Sequence, residues 1–448
     1  MKPLLRTGAA LAGLLSAAGA ASCTPDIGSD PVPESLEFDT EASPPRVPAP
    51  TGLIVNPLTG HIDFGLAGAP VPADCTEPSS YSQAECEFNQ YLQTLDGFPS
   101  VSPATAPATA ALAADTLTAG ENVVVVALRE PSAVPKLGVG FDDASRSVAV
   151  RPLPSWALGE SYFIGVRAYA TGVRASSGAE VVGSPTFALL KQESSLTCGA
   201  AQPAAVPADC PAFELLSQTQ PAAEARENLF TLEAIRQSYL SAGVWQRMAQ
   251  AGLPKAETAV LFGFPIHTGS VAEVDPTVGL VPVVTASNEI RVAVHGPVDA
   301  STVTSFIVKE RAGSVTLMDL TAAAAGDLVS GFPRTEARFA DGAIVVTGAA
   351  PFAEGHQYGL FMTRDIANPS GAPLVPGPIS VLLTLTASLV DANGNSQIAS
   401  VADADAAELE AGRKQLAALF DNPVFAPLTG LTRQSLVYCF AFAFEVPR

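Results

Sequence analysis

The feature that most restricts the fold of this 448-residue chain is a long internal self-similarity. Gly159-Glu160-Ser161-Tyr162 and the apolar residues behind it read like Gly355-His356-Gln357-Tyr358 and theirs. The stretch from Ser177 to Leu190 then matches the stretch from Ser370 to Leu383. Upstream, Phe141-Asp142 with 147–150 corresponds to Phe339 and Asp341 with 344–346. Downstream, Leu232-Glu233-Ala234-Ile235-Arg236 corresponds to Leu409-Glu410-Ala411-Gly412-Arg413. Each helical piece leads to an apolar run, Val260 to Phe264 in one case and Val437 to Phe442 in the other. The order of features is the same in both halves, so two copies of one unit are expected, over 51–270 and 273–448.

Each unit reads mainly as strands. Residues 122–128, 146–151 and 161–169 are β-branched or aromatic runs bounded by Gly, Pro or Asp turns. Short strands at such spacing point to a β-sandwich. Each unit also carries one clear helix before its last strand. Leu232, Ile235, Tyr239, Leu240 and Val244 recur at near-helical spacing within 222–250, which Gly252 and Pro254 end. In the second unit Leu409, Leu416, Leu419 and Phe420 make the stripe of a helix over 402–420, stopped by Pro423. The stripes are read as covering their own domain.

The first residues carry an address. Lys2 and Arg6 precede an apolar stretch from Gly8 to Ala21, and Ala20-Ala21-Ser22-Cys23 closes it, the layout of a secretory signal over 1–22. Small residues before a cysteine resemble the bacterial lipobox, which makes Cys23 the expected lipidation site, although Ala20 stands where Leu is usual. The tract behind it, rich in Pro, Ser, Asp and Glu, reads as a disordered tether over 23–50. With 44 acidic against 24 basic side chains, the net charge of −20 disfavours nucleic-acid binding. The expected membrane contact is therefore the lipid and not an electrostatic surface.

Cysteine usage agrees with an oxidising compartment. Besides Cys23 there are Cys75, Cys86, Cys198, Cys210 and Cys439. Two local disulfides, Cys75 with Cys86 and Cys198 with Cys210, are the economical arrangement in an exported chain. Cys439, in an apolar strand-like run, is expected to be a buried free thiol.

Gly296-Pro297-Val298-Asp299-Ala300-Ser301-Thr302-Val303, followed by the strand through Tyr358 and the turn at Ser370-Gly371, resembles the bacterial Ig-like domains of surface proteins. The resemblance implies a mainly β fold of two tandem Ig-like β-sandwich units, each with a helical insertion before the last strand. Asn56-Pro57-Leu58-Thr59-Gly60-His61-Ile62-Asp63-Phe64 and Leu92 to Phe98 resemble the N-terminal, non-catalytic region of virulence-factor-type extracellular bacterial lipases. In that family the hydrolase domain follows this region, and here the sequence stops at Arg448, so no catalytic residue carries over.

A search for chemistry is mostly empty. There is no Gly-x-Ser-x-Gly elbow, no Gly-rich phosphate loop and no His-Glu-x-x-His pair. The four histidines, His61, His267, His295 and His356, have no ligand-spaced partner in sequence. Asp391, Asn393 and Asn395 offer oxygens to a calcium ion, yet an Asn-Gly turn accounts for them without one. The expected protein is a non-enzymatic cell-envelope lipoprotein. It would be exported and held at the outer membrane facing the periplasm or the cell surface, as scaffold, spacer or binding module for an envelope protein or polymer. No cofactor is expected. The alternative is an accessory, catalytically empty or truncated relative of an extracellular lipase.

Overall fold

The structure, a computed structural model, describes residues 33–39, 46–56, 58–67, 70–218, 220–272, 283–286, 288–325 and 331–444. The expected signal peptide, Cys23 and the start of the expected tether lie outside the described residues.

Runs of Val, Ile, Phe and Tyr that can be buried on both faces set the layout. In the first repeat β1 (Glu34–Leu36) and α1 (Gln83–Leu92) precede β2 (Ala104–Pro107), β3 (Val123–Ala127), β4 (Lys136–Asp142), β5 (Ser147–Leu153) and β6 (Ser161–Arg167). Then come β7 (Val181–Gly183), α2 (Pro185–Leu190), α3 (Pro211–Leu216), α4 (Ala222–Ser241), α5 (Val244–Gln250) and β8 (Thr258–Pro265). One antiparallel sheet has the order β2-β5-β4 and the other β3-β6-β8. β1 runs parallel to β7, and Leu36 bridges Ala108 just beyond β2.

The second repeat follows the same plan. Its strands are β9 (Val271–Ala272), β10 (Val283–Ala286), β11 (Glu289–His295) and β12 (Val315–Asp319), then α6 (Leu320–Ala324), β13 (Thr335–Ala340), β14 (Ala343–Gly348) and β15 (Gln357–Thr363). After β16 (Val375–Pro376) come α7 (Pro378–Thr384), α8 (Asp403–Phe420), α9 (Phe425–Thr429) and β17 (Leu436–Ala443). The sheets run β13-β14-β11-β9 and β12-β15-β17, with β9 parallel to β16 and β10 added beside β11. Even the irregularity repeats: the register shifts at Val166/Arg167 in one β6–β8 pairing and at Met362/Thr363 in its counterpart. Asp341 and Gly342, both at positive φ, form the two-residue hairpin between β13 and β14 that such a tight turn requires.

Alternation along a strand explains the layering. Tyr162, Ile164 and Val166 of β6 are fully buried toward the first sheet, and burying each such side chain contributes roughly 1.5–3 kcal/mol. On the opposite face Phe163 meets Tyr239 of α4 edge-on at 5.8 Å, and Gly165 makes room for Leu253 and Met248. The second repeat copies this, with Tyr358, Leu360 and Met362 on one face and Phe361 against Phe420 at 6.2 Å on the other. In each repeat helices therefore cover one face of a three-stranded sheet, α4 and α5 on β3-β6-β8 in the first and α7 and α8 on β12-β15-β17 in the second. Among the described residues there is no closed barrel, and helix takes about as much of the chain as strand.

Several expectations need correction. The tether does not stay disordered to residue 50, because Leu36 and Phe38 are core residues and β1 is part of the first repeat. The expected helix over 222–250 is two helices, broken where Gly243 takes φ 62°, and Leu240 faces solvent instead of joining the stripe. The second helix begins at Asp403, one residue later than expected. The boundary near 270 separates two hydrophobic cores, but Ala84 and Phe88 of α1 sit in the second of them. Everything described belongs to one compact body. No helix among the described residues is long and apolar enough to cross a membrane.

Candidate functional site at the joint between the repeats

The segment from Ile266 to Ala272 connects the repeats without any free linker. Ile266 N–H donates to Glu160 O at 2.8 Å, His267 N–H to Phe98 O at 3.1 Å, and Gly159 N–H to His267 O at 3.0 Å. Asp96 accepts from the Thr268 amide at 3.0 Å and from its hydroxyl at 2.5 Å. Ser270 Oγ donates to Pro297 O at 2.9 Å, and Val375 N–H to Ser270 O at 2.7 Å. Gly97 is obligatory here, since a Cβ would lie 2.6 Å from the His267 nitrogen.

A polar cluster occupies the joint. His267 is 1% exposed, and only the Gly269 backbone approaches its ring as a marginal hydrogen-bond partner. Burial pushes its pKa down to about 4 against the pull of the Asp96 carboxylate, with His295 acting in the same direction as burial. Ser155 Oγ and His295 Nδ1 are 3.3 Å apart, which links the loop after β5 to the end of β11.

α1 is a second fastener. Tyr91 OH donates to Pro376 O at 2.6 Å, Glu87 accepts the Thr386 amide at 2.8 Å, and Ser82 Oγ donates to Gln397 O at 2.5 Å. The Cys75–Cys86 disulfide ties the first turn of α1 to the loop before it. The stretch from Leu92 to Phe98 continues directly from the end of α1. That stretch carries Leu95 and Phe98 into the buried interior while α1 reaches the other repeat.

The other residues singled out from sequence are structural. The Cys198–Cys210 disulfide forms as expected, and Cys439 is a buried free thiol whose pKa burial pushes up. Asp391 spends its carboxylate on its own turn: Oδ1 accepts the amides of Asn393 at 2.8 Å and Asn395 at 2.9 Å, and Oδ2 accepts Asn395 Nδ2 at 3.1 Å. Among the described residues no three His, Cys, Asp or Glu side chains are grouped to hold a metal ion.

What the sequence reading missed is a matched pair of buried ion pairs. Glu233 and Arg236 of α4, and Glu410 and Arg413 of α8, are the same staple. Each arginine forks onto its glutamate and reaches two backbone carbonyls, of Gln192 and Glu193 in one repeat and of Leu385 and Thr386 in the other. Each glutamate also accepts one amide, from Leu196 or Leu389. The shared Glu-x-x-Arg spacing was the available signal, because i and i+3 lie on one helix face. No protein-family model matches this sequence, and no curated protein matches it.

Proposed function

We propose that this is an exported, non-enzymatic envelope lipoprotein, anchored through Cys23, whose two tandem Ig-like units act as a stiff spacer or binding module. The observation that carries the reading is the joint, where the connecting residues are hydrogen-bonded on both sides and α1 straps the first unit to the second. A joint of this kind holds a set orientation between two bodies, as a spacer must. Strand order supports the Ig-like assignment: β1-β2-β5-β4 beside β3-β6-β8 in the first unit is matched by β9-β11-β14-β13 beside β12-β15-β17 in the second, where β10 and β16 bring the larger sheet to six strands. So do two tyrosine corners near the start of β6 and β15. Tyr162 OH accepts the Ala157 amide at 3.0 Å, and Tyr358 OH accepts the Ala353 amide at 2.8 Å.

Mass spectrometry of the mature N-terminus from membrane fractions tests the anchor. A diacylglyceryl group on Cys23 is expected, with the Cys23→Ala variant unprocessed or released. An unmodified N-terminus in the soluble fraction would sink it.

One observation favours a hydrolase over both the spacer and an accessory or emptied lipase relative: the Ser155–His295 contact pairs a hydroxyl with an imidazole. On a short-chain nitrophenyl ester the purified protein is expected to give no turnover above buffer. Turnover that disappears in Ser155→Ala would replace the spacer with a hydrolase.

A further inference from the structure

A cavity of about 180 Å³ opens where α1 meets the second repeat, lined by Tyr91, Arg364, Val381, Thr384, Arg433 and Leu436 among others. On a chain of net charge −20 it gathers two guanidinium groups. Arg364 donates its Nε to Gln434 O at 2.9 Å, and its terminal nitrogens meet no acceptor among the described residues. Arg433 lies over the Phe420 ring at 5.2 Å and pairs through Nη2 with the exposed Asp421 at 3.0 Å, but its buried Nε has no partner at all. A buried donor without an acceptor is unfavourable.

Comparison of the two repeats shows that the cavity is a departure from the common plan. Lys191 follows Leu190 in the first repeat as Thr384 follows Leu383 in the second. Lys191 extends its ammonium to the carbonyls of Ala256 at 3.1 Å and Thr258 at 3.0 Å, lying over the Tyr169 ring. By the shared β6–β8 and β15–β17 register, those carbonyls correspond to Gln434 and Leu436. In the second repeat the side chain at the lysine position is too short to cross the gap. Arg364 reaches the Gln434 carbonyl instead, and the space is left open.

We propose that the second repeat binds a small organic carboxylate in this cavity, held by the forked guanidinia of Arg364 and Arg433. Forked donors match a carboxylate's two oxygens. Val381, Leu436 and Pro376 give an apolar wall, which selects a short aliphatic body over inorganic phosphate. The site does not depend on the lipid anchor, so the two proposals fail separately.

The test is saturation-transfer NMR on the full-length protein with sodium butyrate and butyramide as observed probes and inorganic phosphate as a competitor of the butyrate signal. Butyrate is expected to bind, and butyramide and phosphate to bind at least about tenfold more weakly. Arg364→Gln removes an exposed side chain and is expected to weaken butyrate about tenfold or more. Thr384→Lys restores the first repeat's plug, and is expected to abolish butyrate binding while the melting temperature holds. Equal transfer to butyrate and butyramide, undiminished binding in Thr384→Lys, or no transfer to butyrate in the wild type would each overturn the proposal.

Discussion

Arg413→Met is expected to remove about 3–5 kcal/mol of folding stability, measured by urea unfolding at neutral pH. The guanidinium is 9% exposed and its partner carboxylate 4%. Nε and Nη2 donate to the two Glu410 oxygens at 2.7 and 2.8 Å, and Nη1 serves the carbonyls of Leu385 and Thr386. Burial alone would raise the Glu410 carboxyl. The Arg413 hydrogen bonds, the Leu389 amide and the Arg413 charge outweigh it and hold the pKa down to about 2. Without the arginine the carbonyls of Leu385 and Thr386 lose a donor, and the buried Glu410 carboxylate is left with the Leu389 amide, the Ser388 hydroxyl and the exposed Lys414 ammonium at 3.7 Å. The double variant Glu410→Met/Arg413→Met is expected to recover a substantial part of the loss, since two apolar side chains leave no orphaned charge. Arg236→Met in the first repeat is expected to behave alike, because Glu233 is held at about 2 by the same arrangement. A single variant within about 1 kcal/mol of wild type would show that the staple carries no buried charge.

Acid is expected to weaken the fold in two separate stages. His267 has a folded pKa of about 4 against 6.5 when exposed. Above 6.5 neither state holds the proton, and the contribution is fully present. As pH falls from 6.5 to about 4 the unfolded chain takes up a proton that the folded chain refuses, so stability declines by about 3 kcal/mol. Below 4 both states are protonated and this slope vanishes. Glu233 and Glu410, depressed from 4.5 to about 2, then act over the lower window, where the unfolded carboxylates are protonated first. Urea unfolding at pH 7, 5.5, 4 and about 2.5 separates the stages, the first three spanning the His267 window and the last the carboxylate window. His267→Gln should flatten the upper window and leave the lower one intact. An unchanged slope above pH 4 in that variant would locate the titrating group elsewhere.

Much of this architecture was legible because the chain repeats itself. A run such as Ser161 to Val166 is ambiguous alone, but the same order of strand, Ser-Gly turn, helix and strand twice over fixes the plan. The disulfides followed from proximity in sequence. The ion-pair staples were hidden for a physical reason. Charged residues on an amphipathic helix are read as its wet face, and only the loops after α2 and α7 make these positions interior. The cavity was equally hidden, since its existence turns on the reach of one side chain, Lys191 or Thr384, across a register that sequence does not give. β1 was misread because a three-residue strand flanked by Pro and Glu has the composition of a linker, and it gains its order from β7 far along the chain.

The position of α1 imposes an order on how the molecule is made. A chain emerging N-terminus first presents Phe88 and Tyr91 when β1 alone of the first repeat's strands has appeared, and their seats on Pro376 and the second core arrive last. The first repeat can close its sheets meanwhile, but it must carry an unsatisfied helix until the final strands appear. Completion of the joint is thus a late event that reports on the whole polypeptide.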